Sequence, residues 1–284
     1  MDVYNEFDLT NSNTYRIKST ASKVFFPSNK NDIIEIFNLS NSKKVIFGNG
    51  SNIILSKEYY EDLEIVFIKS NLEKYALQGN RIISEAGISM KKLSQIALHE
   101  SLSGLEFFYD IPGTLGGAII MNAGASGEDI SSLIDEVEFF QINKKRFYKI
   151  KGKEVKWAYR QSSFSETDCL LYRASLKLRK GQFHAILDKM TENYTIRHIK
   201  QPREFPNAGS VFKRPEGFYV GKIIDELELK GYSLGGAKIS EKHGGFIINF
   251  NEAIGSDIIG IIDIVKKKVF EKYNIELELE QRII

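Results

Sequence analysis

The sequence predicts an α+β chain of three successive units, and three observations carry that prediction. Short strand-like runs bounded by turn residues dominate residues 43–85 and 137–150. Amphipathic helical stretches stand between and after them rather than alternating with every strand. Two glycine-rich runs, Gly48-Asn49-Gly50-Ser51-Asn52 and residues 111–127, interrupt the strand-rich part.

The 284 residues are enough for a large core and two or three units. Thirty-nine basic residues nearly cancel 37 acidic ones, leaving a formal charge of +2, and no lysine- or arginine-rich block gives a nucleic-acid footprint. The opening residues, Met1-Asp2-Val3-Tyr4-Asn5-Glu6, have neither a basic n-region nor an apolar h-region. No apolar run approaches the roughly 20 residues of a membrane span. A soluble cytoplasmic protein, with no nucleic-acid or membrane partner and no evident obligate protein partner, is the expectation. The single cysteine, Cys169, excludes an internal disulfide and reads as an inert buried thiol in a strand. Four dispersed histidines give no metal pattern.

In the first unit, residues 1–70, Asn31 or Asp32 is expected to cap a helix with Ile33, Ile34 and Phe37 on one face, and residues 43–47, 53–55 and 65–68 are strand-like. The second, residues 71–200, predicts hairpins across Gln78-Gly79-Asn80 and Asn143-Lys144-Lys145. Between them Ser89 caps a helix with Met90, Leu93, Ile96 and Ala97 inward. A long helix then carries Phe183, Ile186, Leu187, Met190 and Tyr194 at helical spacing and stops before Pro202. The third, residues 201–274, reads helix (Val220, Ile223, Ile224, Leu227), strand (246–250) and helix (Ile258, Ile261, Ile262, Val265, Val269), with Ser256 as the expected cap. The tail 275–284 alternates apolar and charged residues, as a strand buried on one face does.

The second glycine run packs five glycines and four alanines or serines around a short apolar segment, so its backbone is bare enough for a ligand to approach. Together with the first run it suggests one extended, phosphate-bearing ligand. Neither phosphate motif with a fixed layout fits. After Gly48-Asn49-Gly50 comes Ile53 where a dinucleotide fingerprint needs glycine, and Gly217–Lys222 is one residue short of a P-loop and lacks its hydroxyl. What remains is strand, tight loop, strand, whose N–H groups with Ser51, Asn49 and Asn52 form an anion-holding concavity.

The run Gly48–Leu55, the run Gly104–Ala125 including Pro112-Gly113-Thr114-Leu115-Gly116-Gly117 and Met121-Asn122-Ala123-Gly124, Tyr159-Arg160-Gln161-Ser162-Ser163-Phe164, Lys200-Gln201-Pro202, Pro206–Pro215, Gly235–Asn249 and Leu279-Glu280-Gln281-Arg282 together resemble the UDP-N-acetylenolpyruvoylglucosamine reductase (MurB) family, in its shorter type II form. The match runs through essentially the whole chain, in order. It implies a two-subdomain FAD-binding region of the PCMH/VAO type followed by an α/β substrate-binding domain, with residues 275–284 returning to the first subdomain. It also implies non-covalent FAD, NADPH as co-substrate, and reduction of UDP-N-acetylglucosamine enolpyruvate to UDP-N-acetylmuramate in peptidoglycan precursor synthesis. Cofactor contacts are expected from Gly48, Asn49, Gly50, Ser51, Asn52, Pro112, Gly113, Gly117, Asn122 and Gly124.

The resemblance assigns Ser210 as proton donor to C2 and Arg160 and Glu280 to the enolate. A guanidinium suits a carboxylate or enolate oxygen and stays charged when buried. Tyr159, Lys200 and Arg214 are expected at the substrate, with Lys213 a further cation for phosphate. His243 reads as structural. The family usually places valine after the glutamate, where this chain has Gln281, which leaves Glu278 as the fallback for Glu280. Two rivals stand beside this reading. An alcohol oxidase on the same framework would not need Arg160, Ser210 and Glu280 together. A non-catalytic FAD or UDP-sugar binding module would leave the Ser210 and Glu280 contexts without a role.

Overall fold

The computed structural model describes residues 1–125 and 127–284; Ser126, in the second glycine run, lies outside them. The chain forms two compact units, each discontinuous in sequence: Met1–Asn5, Lys23–Asn49 and Asp62–Arg197 in the first, Glu6–Ser22, Gly50–Glu61 and His198–Ile284 in the second.

The first unit is built on a five-stranded antiparallel sheet in the order Arg146–Lys151, Ile134–Gln141, Cys169–Lys177, Arg81–Glu85, Tyr75–Gln78. Both expected hairpins are present at its edges, because each turn is a local signal between alternating strands. Val137, Phe140, Leu170, Leu176 and Ile82 of this sheet are fully buried. Lys43–Phe47 pairs in parallel with Tyr59–Phe67, putting Lys44 opposite Glu64.

Helix α1, Lys30–Leu39, is capped by Asn29, whose side chain accepts from Asn31 N and Asp32 N. The expected caps Asn31 and Asp32 are therefore the donors, one turn in. Asp32 instead accepts from Ser28 N at 2.8 Å. Helix α2, Met90–His99, is capped by Ser89 as expected, and Met90, Leu93 and Ala97 are buried while Ile96 is half-buried. Helix α3, Leu115–Ile120, lies inside the second glycine run. Helix α4, Phe183–Lys200, buries only Ile186 and Met190, which pack with Leu98 and Tyr109; Phe183, Leu187 and Tyr194 stay exposed.

The second unit holds helix α5, Val220–Glu226, and helix α6, Gly255–Tyr273, with an antiparallel sheet of Ser233–Leu234, Ala237–Ile239 and Ile247–Asn249. The apolar faces expected on α6 are buried throughout. Its cap is not Ser256, which lies inside the helix. Asp257 reaches back to accept from Ile254 N at 3.1 Å and from Gly236 N at 3.0 Å. The tail is strand only at Arg282–Ile283, parallel to Ile53–Ile54, plus one bridge between Leu279 and Phe212. Among the described residues no helix is long and apolar enough to cross a membrane, and no three metal-ligating side chains cluster.

Candidate active site

Within the first unit the two glycine runs meet. Gly48 follows the strand Lys43–Phe47, and a Cβ on it would collide with the Thr114 hydroxyl, so only glycine fits. Thr114 caps α3 by accepting from Gly117 N at 3.3 Å. Gly116 is packed from the other side: an added Cβ would stand 2.9 Å from Ile68 Cδ1 and 3.1 Å from Ala86 Cβ. The N–H groups of Leu115 and Gly116 donate to Ile88 O at 2.9 Å and Ala86 O at 2.8 Å. The first amides of α3 are thus engaged inside the protein, and Asn49 at the loop tip accepts from Lys69 Nζ at 2.7 Å.

The approach to this run is also fixed. Met90 N donates to Gly113 O at 3.0 Å, and beside Pro112 the Asp110 carboxylate pairs with Arg197 Nε of α4 at 3.2 Å. Burial lowers the Arg197 pKa to about 10, which leaves it protonated at neutral pH. Beyond α3, Asn122 has a left-handed φ of +41° and is buried. Its amide donates to Asp129 Oδ2 at 3.3 Å and Ala158 O at 3.0 Å and accepts from Ser131 N at 3.3 Å. Both amide protons and Oδ1 are engaged within the protein, so it orders the backbone. Gly124 is equally structural, because a side chain there would strike Asp129, its partner in the short ladder.

The Asn122 bond to Ala158 locates the arginine. Trp157–Ala158 and Gln161–Ser162 pair as a hairpin whose two-residue loop is Tyr159-Arg160. Ser162 Oγ and Ser165 Oγ both donate to Ile120 O at 2.9 Å, the C-terminal end of α3. Arg160 itself has φ +56°, and its guanidinium carbon stands 5.2 Å from the exposed Tyr159 ring. A left-handed arginine costs about 1 kcal/mol or more, a strain that a hairpin tied to Asn122 and Ile120 can impose.

In the second unit, Ser210 lies in a segment braced on both sides. Ser210 bridges Phe246 and Val211 N donates to Gly245 O at 3.0 Å; on the other side Glu280 N donates to Val211 O at 2.9 Å and Lys213 N to Glu278 O at 2.9 Å. Asn207 Oδ1 accepts from Gly209 N at 3.1 Å, and Gly209 takes φ +79°, so the chain turns sharply just before the serine. Ser210 and Glu280 are thereby brought together. Asn52 of the first glycine run joins them, donating from Nδ2 to Glu280 O at 2.9 Å. Gly50 has φ +63°, and a Cβ on it would strike the Ser12 carbonyl oxygen. Glu278 is exposed and ion-paired with Lys213. Lys200 and Arg214 are exposed, the latter with its guanidinium 4.4 Å from the Tyr219 ring. His243 is half-buried, its Nδ1 accepting from Gly245 N at 3.1 Å, and burial pushes its pKa down.

The family model described as UDP-N-acetylenolpyruvoylglucosamine reductase, C-terminal domain, matches residues 201–284, and that described as FAD binding domain matches residues 21–142. UDP-N-acetylenolpyruvoylglucosamine reductase from Caldanaerobacter subterraneus is 38% identical over 274 residues, covering 95% of this chain and 90% of its own. The enzyme of that name from Francisella tularensis is 39% identical, covering 96% of both. The crystal structure of MurB from Thermus caldophilus aligns with a TM-score of 0.84 at 28% identity, over 99% of this chain and 98% of that one. The chain belongs to the UDP-N-acetylenolpyruvoylglucosamine reductase family.

It is a flavin-dependent oxidoreductase, and FAD is its cofactor. The structure fits that group at the first glycine run. Lys69 Nζ, 2.7 Å from Asn49 Oδ1, sets a cation beside the loop that suits an anionic diphosphate. Lys69 and Thr114 were not legible as site residues in isolation, although Thr114, three residues ahead of Gly117, has the spacing of a helix cap.

Proposed function

We propose that this enzyme reduces UDP-N-acetylglucosamine enolpyruvate to UDP-N-acetylmuramate, with NADPH as electron donor. FAD, when bound, supplies the redox chemistry, a hydride acquired from NADPH and delivered to C3 of the enol ether. Everything else falls to side chains. As C3 gains hydride, charge moves onto C2 and the carboxylate, and C2 needs a proton.

Ser210 provides that proton. A hydroxyl is a weak acid, so it serves only because the enolate carbon is a strong base and because the donor is held in place. Arg160 takes the carboxylate and enolate charge with its fixed planar donors, and Glu280 is assigned with it to the enolate. Tyr159, Lys200 and Arg214 bind the UDP-sugar, with the two cations suited to the diphosphate. Gly48–Asn52, Pro112, Gly113 and Gly117 carry the FAD contacts, while Asn122 and Gly124 serve it by shaping the backbone. This chemistry belongs in the cytoplasm, where nucleotide-linked wall precursors and NADPH are available.

The observation that carries the reading is the double bracing of Ser210 between residues 245–246 and 279–280, which fixes a hydroxyl beside a carboxyl group's backbone. The test is anaerobic stopped-flow absorbance. NADPH should bleach the flavin, and UDP-N-acetylglucosamine enolpyruvate should restore the oxidised spectrum rapidly. Ser210→Ala should bleach normally and recover at least 100-fold more slowly, the scale of a lost proton donor. A reduced flavin that ignores this substrate in the wild type would overturn the proposal.

A further inference from the structure

Gln281 is nearly fully buried, 3% exposed, next to Glu280, and every polar atom of its side chain is used. Its Nε2 faces three carbonyl oxygens, of Ala208 and Gly209 at 3.1 Å each and of Ser210 at 3.4 Å. Its Oε1 accepts from the Tyr15 hydroxyl at 3.0 Å. The three carbonyls settle the amide orientation, since the flipped form would set an oxygen against three oxygens. Tyr15 is fully buried in turn. Asn249 Nδ2 donates to its carbonyl at 2.8 Å, and burial holds its hydroxyl protonated far above neutral pH, so it remains a donor.

The residues gripped by Nε2 are the turn that delivers Ser210. Gly209 sits there with φ +79° and nothing within 4 Å of where a Cβ would be, so steric packing does not fix the turn. Hydrogen bonds do. The Asn207 side chain holds the turn from within, and Gln281 holds its carbonyls from outside. An apolar side chain at 281 would fill the space but leave the Tyr15 hydroxyl and these carbonyls without this partner, and a buried polar group left unpaired is costly.

We propose that Gln281 is a positioning residue for the proton-transfer step: relayed from Tyr15, its amide clamps the 208–210 turn and sets the Ser210 hydroxyl. The inference rests on the assignment of Ser210 as proton donor. It gives the reduced enzyme a rigid acid without any contact between Gln281 and substrate. Small displacements of a donor are expensive, since a shift of about 1 Å costs on the order of 100-fold in rate.

The test separates the two half-reactions in the FAD-loaded enzyme. Gln281→Val should bleach with NADPH at the wild-type rate, yet its reoxidation by UDP-N-acetylglucosamine enolpyruvate should fall 10-fold or more. The loss should appear in the limiting rate rather than in the substrate concentration giving half that rate, and the solvent deuterium isotope effect on reoxidation should rise as proton transfer becomes more limiting. Tyr15→Phe keeps the Nε2 clamp and removes only its anchor, so it should show the same pattern with a smaller loss, and it guards against failure of the valine variant to fold.

Unchanged reoxidation in both variants would overturn the clamp. Equal slowing of both half-reactions, or a loss confined to half-saturation, would overturn it as well by showing general damage. If Ser210→Ala reoxidises like wild type, the donor assignment fails first, and that outcome is read independently of Gln281.

Discussion

At the level of single residues, Arg160 shows how the site stores strain. Its φ of +56° places an arginine where glycine is at ease, inside a two-residue loop whose flanks are tied to Ile120 and Asn122. The hairpin tolerates this because those hydrogen bonds fix the backbone before the side chain has a choice. Arg160→Gly and Arg160→Ala both remove the guanidinium and should lower reoxidation of reduced flavin by substrate 100-fold or more, the scale of a lost charge stabiliser. They should differ in stability. Alanine keeps the left-handed penalty and glycine does not, so urea denaturation should find the glycine variant about 1 kcal/mol more stable than the alanine variant. Equal stability would mean that the loop relaxes and that no strain is held there. Cys169 is the contrasting residue: buried, with its thiol pushed up to about 12 by burial and then by Asp168, it carries almost no thiolate at neutral pH, as expected of an inert core cysteine.

At the level of elements, the parallel ladder under the first glycine run depends on one buried ion pair. Lys44 and Glu64 are register partners, 2.8 Å apart, with side chains only 4% and 11% exposed, and Ser40 Oγ donates to the same carboxylate at 2.9 Å. Burial alone would raise the Glu64 pKa, but the hydrogen bonds from Lys44 and Ser40 outweigh it and hold the carboxyl below its ordinary range. Lys44→Met should destabilise by about 3–5 kcal/mol in urea melts because it strands a buried carboxylate, and adding Glu64→Leu should recover most of that. Elements with local signals, such as the Ser89 cap of α2 and the hairpin at Gln78-Gly79-Asn80, are legible in the sequence. Helix α3 is not, since glycines oppose it and what sustains it is distant: Thr114 against Gly48 and Gly116 against Ile68 and Ala86. The α6 cap is misread for the same reason, because Asp257 is chosen by Gly236, 21 residues away. The candidate site divides likewise. Its motifs name Arg160, Ser210 and Glu280, but the bond from Tyr15 to Gln281 joins positions 266 apart, and a lone buried glutamine gives no sequence pattern that reveals its partners.

At the level of the whole molecule, ionisation sets the pH range in which the fold is stable. Asp8, held down by Thr10, joins Asp32, Glu64, Glu136, Glu226 and Glu252, all with carboxyls below their ordinary values. Below about pH 4, where free carboxylates protonate, the unfolded chain binds more protons than the native one, so the stability these groups contribute is lost as pH falls through their lower native values. The opposite limb comes from groups raised by burial: Cys169 and Tyr172, each to about 12, and Tyr15. Their unfolded forms ionise first, from about pH 8.5 for a thiol and about 10 for phenols, so stability must decline as pH rises through that window. Burial also keeps His243 neutral in the native state, so urea midpoints measured from pH 3 to 11 should give a plateau between about pH 7 and 8, a shallow decline once pH drops below about 6.5, a steeper fall below about pH 4 and a separate fall above about pH 8.5. The alkaline limb should begin with Cys169 alone. Cys169→Ala should flatten the decline between about pH 8.5 and 10 while leaving the acid limb in place. An identical alkaline onset in that variant would mean that the thiol ionises as easily in the native core as in the unfolded chain.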